Sequence, residues 1–138
     1  MKVTIIPGIG ILELPFGLAR SLVREAVPGY LRTPSRKPSE DYYPDTGLFT
    51  YFDQSDRLIG AEFFEPAQVL LNGRQLLGMP LSQAKGVLAA AGGEVEDDPA
   101  GAMCMNIGIG LYVPSARDYP DDPVETVIVF KEGYYDQT

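Results

Sequence analysis

The stretch Val69-Leu70-Leu71-Asn72-Gly73-Arg74-Gln75-Leu76-Leu77-Gly78-Met79-Pro80-Leu81 decides the fold class. Asn72-Gly73 separates two short strand-like runs, 69–71 and 74–77. Both turn residues tolerate positive φ, so the segment predicts a two-residue type I′ hairpin. The apolar spacing then changes, and residues 81–91 predict a helix that ends at Gly92-Gly93. Strand pairs next to a helix, with antiparallel turn signals throughout, indicate an α+β protein.

Downstream, residues 102–106 and 109–113 predict a hairpin around Ile107-Gly108, and turn-rich residues 114–123 lead to a last strand at 124–131. Upstream, residues 3–6 form an apolar strand stopped by Pro7-Gly8. Residues 16–27 predict a helix with Leu18, Leu22, Val23 and Val27 as its apolar stripe, ended by Pro28-Gly29. A polar loop at 33–40 precedes a hairpin of 41–43 with Leu48–Phe52, with Gly47 at a positive-φ turn position, and Leu58–Phe64 is the next strand.

The two halves echo each other. Gly47-Leu-Phe-Thr-Tyr-Phe matches Gly108-Ile-Gly-Leu-Tyr-Val at an offset of 61, and Glu62-Phe63-Phe64-Glu65 matches Ile128-Val129-Phe130-Lys131 at an offset of 66. Leu14-Pro15-Phe16 is set against Leu77-Gly78-Met79 at the two helix entries. These matches predict two tandem units, 1–67 and 68–138, each a helix plus an antiparallel β-meander, joined in one compact body.

The helix entry Leu76-Leu77-Gly78-Met79-Pro80-Leu81, with Leu12-Glu13-Leu14-Pro15-Phe16 as its weaker partner, resembles the superfamily that includes β-lactamase inhibitor protein and the small outer-membrane assembly lipoproteins. That resemblance implies the fold and a tendency to bind proteins through the sheet face. It transfers no individual binding residue.

Composition narrows the chemistry. The 138 residues include no histidine, which removes Ser-His-Asp and Cys-His catalysis, histidine metal sites and histidine pH switches. The single cysteine, Cys104, precludes an intramolecular disulfide, and its apolar neighbours predict a packed thiol. Pro7, Gly8 and Gly10 interrupt the apolar start, and no run approaches a membrane span, so the expectation is a cytoplasmic protein. The formal net charge is −8, which opposes binding to nucleic acid or anionic membrane. Residues 70–138 carry four Lys/Arg against ten Asp/Glu, a net of −6, so most of the negative field belongs to the C-terminal half.

Individual motifs point away from catalysis. Glu62 and Glu65 lie three apart on a strand and so face opposite ways. Glu94, Glu96, Asp97 and Asp98 lack calcium-loop spacing and predict a solvated turn, as do Asp118, Asp121 and Asp122 between prolines. Gly8-Ile-Gly10 and Gly108-Ile-Gly110 lack the remainder of a phosphate-loop pattern. No metal and no cofactor are expected.

Six of the eight tyrosines, Tyr42, Tyr43, Tyr51, Tyr112, Tyr134 and Tyr135, lie on or beside predicted strands. Tyrosine combines apolar area with a hydrogen-bonding tip, which suits both a core edge and an interface anchor. The expected function is a non-catalytic protein-binding module, an inhibitor or immunity-type protein for a basic partner. Its candidate binding residues are Tyr112, Tyr134, Tyr135, Glu94, Glu96, Asp97 and Asp98. The alternative is a small histidine-independent enzyme or ligand binder in which Arg32, Arg36 or Arg57 holds an anion.

Overall fold

The computed structural model describes residues 1–31 and 38–136. The elements run β1 (Lys2–Ile6), β2 (Gly10–Ile11), α1 (Arg20–Ala26), β3 (Glu40–Tyr43), β4 (Leu48–Phe52), β5 (Leu58–Phe64), β6 (Gln68–Leu71), β7 (Arg74–Gln75), α2 (Leu81–Ala90), β8 (Glu96–Asp98), β9 (Gly101–Cys104), β10 (Ile109–Tyr112) and β11 (Thr126–Phe130), with a 3-10 turn at Tyr134–Asp136. Most of the expected polar loop at 33–40 lies outside the described residues, as do Arg32 and Arg36.

The protein is α+β, with two sheets. Seven strands form one antiparallel sheet in the order β3-β4-β5-β11-β10-β9-β8. A second, four-stranded sheet has the order β2-β1-β6-β7, in which β1 and β6 run parallel. The Asn72-Gly73 turn joins β6 to β7, with φ of 50° and 76° at the two residues. Among the described residues, no helix is long and apolar enough to cross a membrane.

Hydrogen-bond registers recur between the halves. Leu48 pairs with Phe63 as Ile109 pairs with Val129, and Tyr43 pairs with Leu48 as Cys104 pairs with Ile109. At the sheet centre, β5 meets β11 symmetrically about the pair Glu62 and Ile128, with Ala61 opposite Val129 and Phe63 opposite Val127. The helix entries repeat as well. Gly17 N–H donates to the Leu58 carbonyl (2.8 Å) and Leu58 N–H to the Leu18 carbonyl (2.9 Å). Gly78 N–H donates to the Val124 carbonyl and Val124 N–H to the Met79 carbonyl, both at 2.9 Å. Gly17-Leu18-Ala19 makes the same contacts as Gly78-Met79-Pro80, which lies two residues away from the register that sets Leu14-Pro15-Phe16 against Leu77-Gly78-Met79.

These bonds also explain why α1 starts at Arg20 and not at residue 16. Gly17 adopts a φ of 92°, which side chains resist, and Ala19 is held extended by its bridge to Arg57. Pro80 takes the same place before α2, bridged to Pro123. The acidic run 96–98 is a second correction, because it is the edge strand β8, laddered to β9, and not a turn. Strand-poor residues are tolerated there because charge on an edge discourages pairing with another chain.

A single apolar cluster fills the space between the inner face of the large sheet, the helices and the small sheet. It includes Val23 of α1, Leu88 of α2, Phe63 and Val129 of the large sheet, and Val3 and Val69 of the small one, all at most 1% exposed. Among the described residues, the inner face also buries the carboxylate of Asp41. Arg20 Nη2 and Arg24 Nε each donate to it at 2.7 Å from α1, and Arg20 also donates to the Glu40 carbonyl. Burial alone would raise the Asp41 pKa, but the hydrogen bonds from Arg24 and Arg20 outweigh it and hold the carboxyl below its ordinary value.

Candidate protein-binding face

Side chains alternate across a strand, so the face opposite Asp41 is built from the intervening residues. Both helices pack on the inner side, through Val23 and Arg20 in α1 and Leu88 and Ala84 in α2. The outer side carries a continuous row of cross-strand partners: Tyr42, Phe49, Glu62, Ile128, Gly110, Met103 and Glu96. A neighbouring row runs Phe64, Thr126, Tyr112, Gly101 and Asp98. On the other side lie Glu40, Tyr51, Gly60 and Phe130.

Aromatic stacking organises this surface. Tyr42 and Phe49 stack at 4.7 Å between centroids, and Phe64 lies 5.6 Å from Phe49. Offset and tilted ring pairs of this kind add to simple area burial. No residue of the seven strands is Lys or Arg, whereas Glu40, Glu62, Glu96 and Asp98 project on the outer side. Among the described residues, the strands therefore present aromatic and acidic side chains on this side.

The C-terminal turn covers one end of it. Tyr135 meets the Phe130 ring edge-on at 4.9 Å, and Tyr134 lies 6.1 Å from Tyr51. Tyr134 also sits over Gly60, where a Cβ would lie 3.2 Å from its ring. Burial, followed by the nearby Tyr135, Glu62 and Glu40, pushes the Tyr134 phenol up to about 12. Burial and Glu62 also raise Tyr135. Both phenols are therefore protonated at neutral pH.

The structure brings together some of the residues expected from sequence and separates others. Asp98, Tyr112 and Tyr135 line one depression with Glu62, Met103 and Ile128. Glu96 ends the central outer row. Asp97 faces the other way and pairs with Lys85 of α2 at 2.8 Å. Glu94 lies before β8, where its N–H donates to Asn106 Oδ1. Tyr43, by contrast, is fully buried on the inner face, and burial pushes its phenol up to about 12. Phe49, Phe64, Met103 and Ile128 belong to the face, yet strand alternation alone could not say which side the helices cover.

Cys104 is buried, and burial followed by Glu96 raises its thiol, which makes it a poor nucleophile. Among the described residues, no three acidic or cysteine side chains converge as a metal-binding group. Arg57 donates to the Gly17 carbonyl at 3.4 Å, at the entry to α1. No protein-family model, no curated protein and no solved structure matches this chain.

Proposed function

We propose that this protein is a non-catalytic binding module, of the inhibitor or immunity type, that receives a basic protein on the outer face of its seven-stranded sheet. One observation carries the reading: the face opposite the helices combines clustered aromatic rings with carboxylates, and its strands hold no cationic residue. Aromatic side chains supply binding area at low entropic cost, and complementary charge speeds encounter. The excess of acidic residues in the second half adds to the same field.

We also infer that the two halves are tandem copies of one unit, 1–67 and 68–138, as in the superfamily that the Gly78-Met79 entry resembles. The recurring helix-entry bonds and registers, at offsets of 61 and 66, support this. On this reading the sheet face is a composite of both copies, wide enough for a protein partner.

A photo-crosslinking amino acid placed at Tyr112 on the outer face, and separately at exposed Leu22 on α1, tests the proposal in the native cell. The expected result is a discrete adduct with a basic protein from position 112 and none from position 22. An adduct formed equally at both positions, or only at 22, overturns the assignment of the face.

A further inference from the structure

Phe64 and Phe130 hold equivalent places on the outer face, and the C-terminal turn lies on one of them. Their N–H groups donate to the Gly47 and Gly108 carbonyls at 3.0 and 2.9 Å. Across the β5–β11 ladder, Phe64 stands opposite Thr126 and Phe130 opposite Gly60. A tyrosine follows on the next strand in each case, Tyr112 beside Thr126 and Tyr51 beside Gly60. On the first side Phe64 is half-buried and Tyr112 is 48% exposed. The second side is shut. Phe130 is 4% exposed although it does not belong to the apolar cluster between the sheets and the helices. The rings of Tyr134 and Tyr135, 6.0 and 4.9 Å from its own, cover it.

The seat of this cover is built into β5. Strand propensity favours a β-branched residue at an interior position such as 60, and a glycine there marks a close approach. A Cβ on Gly60 would lie 3.2 Å from the Tyr134 ring, so the glycine serves the docked tyrosine. Thr126, in the equivalent place, fills that room with its own side chain. The attachment is light. Lys131 N–H closes the ladder on the Ile59 carbonyl, but Tyr134 N–H bonds back to the Lys131 carbonyl and not to the sheet. Lifting residues 134–136 therefore costs ring contacts and leaves the strand ladders intact. Tyr135 lines both the recess at Gly110 and a second depression beside Tyr51 and Phe52, as a ridge between them.

We infer that the C-terminal turn is a displaceable cover: with Tyr134 on Gly60 and Tyr135 on Phe130 it shuts one half of the binding face, and the partner gains that half when the turn lifts. The inference rests on the protein-binding reading above and adds its regulation. While the turn is docked, the side of Phe64 and Tyr112 offers a first contact. Once it lifts, Phe130 and Gly60 are bared and the two depressions join into one aromatic groove. A face that is shut for part of the time binds with its affinity reduced in proportion.

The test uses the full chain with Gly60→Val, which fills the seat, and separately with Tyr134→Ser, which removes the ring that occupies it. Should Gly60→Val fail to fold, Tyr134→Ser carries the test. Fluorine NMR of 3-fluorotyrosine at position 135 reports docking against Phe130, and both variants should move its signal toward the position seen in urea. The photo-crosslinker at Tyr112 then reads binding in the native cell. Adduct with the basic protein should rise about threefold or more in both variants, since opening the face removes the conformational penalty. A released turn with unchanged or lower adduct yield overturns the cover and leaves the protein-binding face standing. A fluorine signal that stays docked in Tyr134→Ser overturns the role of Gly60 as the seat. Loss of the adduct from wild type and variants alike overturns the proposed function as well.

Discussion

The two halves solve the same packing problem with opposite chemistry. Where α1 crosses the inner face, Asp41 is clasped by Arg20 and Arg24. Sixty-one residues later stand Ala102 on β9 and Leu81 and Lys85 on α2, and Leu81 and Ala102 belong to the apolar cluster. Lys85 turns outward to meet Asp97 at the sheet edge. Tyr43 likewise gives way to Cys104. The scaffold thus needs filled volume at these places but not a particular polarity. Ions there orient α1, while α2 is held by shape and apolar area.

The largest effect should come from breaking the ionic clasp. Asp41→Ala leaves two guanidinium groups beside a desolvated pocket, and urea denaturation should show a loss of about 3 kcal/mol or more. Leu81→Ala in the other half creates a cavity and should cost about 2–4 kcal/mol. A sharper comparison replaces the clasp by apolar side chains: Arg20→Leu, Arg24→Met and Asp41→Ala together should recover most of the loss, since apolar replacement of a buried ion group is often neutral or better. A triple variant as unstable as Asp41→Ala alone would show that the halves are not interchangeable.

Acid should separate the halves next. The folded Asp41 pKa lies below the ordinary carboxylate value of about 3.9. Its contribution is therefore fully present above that value and is lost as pH falls through the depressed folded pKa. Stability of the wild type followed from pH 6 to pH 2 should fall more steeply than that of the triple variant, which lacks this carboxylate. Parallel curves would assign acid sensitivity to other groups.

A smaller gain should follow from Tyr43→Phe. The Tyr43 hydroxyl is buried without a protein hydrogen-bond partner, whereas its counterpart is a thiol that needs none. Removing it should stabilise the protein by roughly 0.5–1 kcal/mol in chemical denaturation. The raised phenol pKa also means that the folded state binds more protons than the unfolded between about 10 and 12, so wild-type stability should fall as pH rises through that window and the variant's should fall less. The smallest effect belongs to the exposed Lys85–Asp97 pair: Lys85→Ala should change stability by less than about 0.5 kcal/mol, and less still at high salt.

What the sequence determined by itself was local. Asn72-Gly73 set a two-residue hairpin because few dipeptides accept positive φ twice in succession, and Gly47 and Gly108 placed the other tight turns for the same reason. Strand alternation sorted Tyr42 from Tyr43, but it did not say which side the helices would cover. Tertiary structure made the remaining decisions. Pairing of residues 17–19 with 57–58 cut α1 back to Arg20, and the β9 ladder turned an acidic run into an edge strand. The pairing of β5 with β11 joins strands from residues 1–67 and 68–138 into one sheet, and β1 lies parallel to β6 in the other. The recess over Gly110 exists only because those pairings carry Glu62, Ile128, Met103 and Asp98 to one place from strands far apart in the chain. Turn chemistry acts over a few neighbouring residues and can be read along the chain, whereas strand partnership between distant segments is settled by burial that no single segment contains.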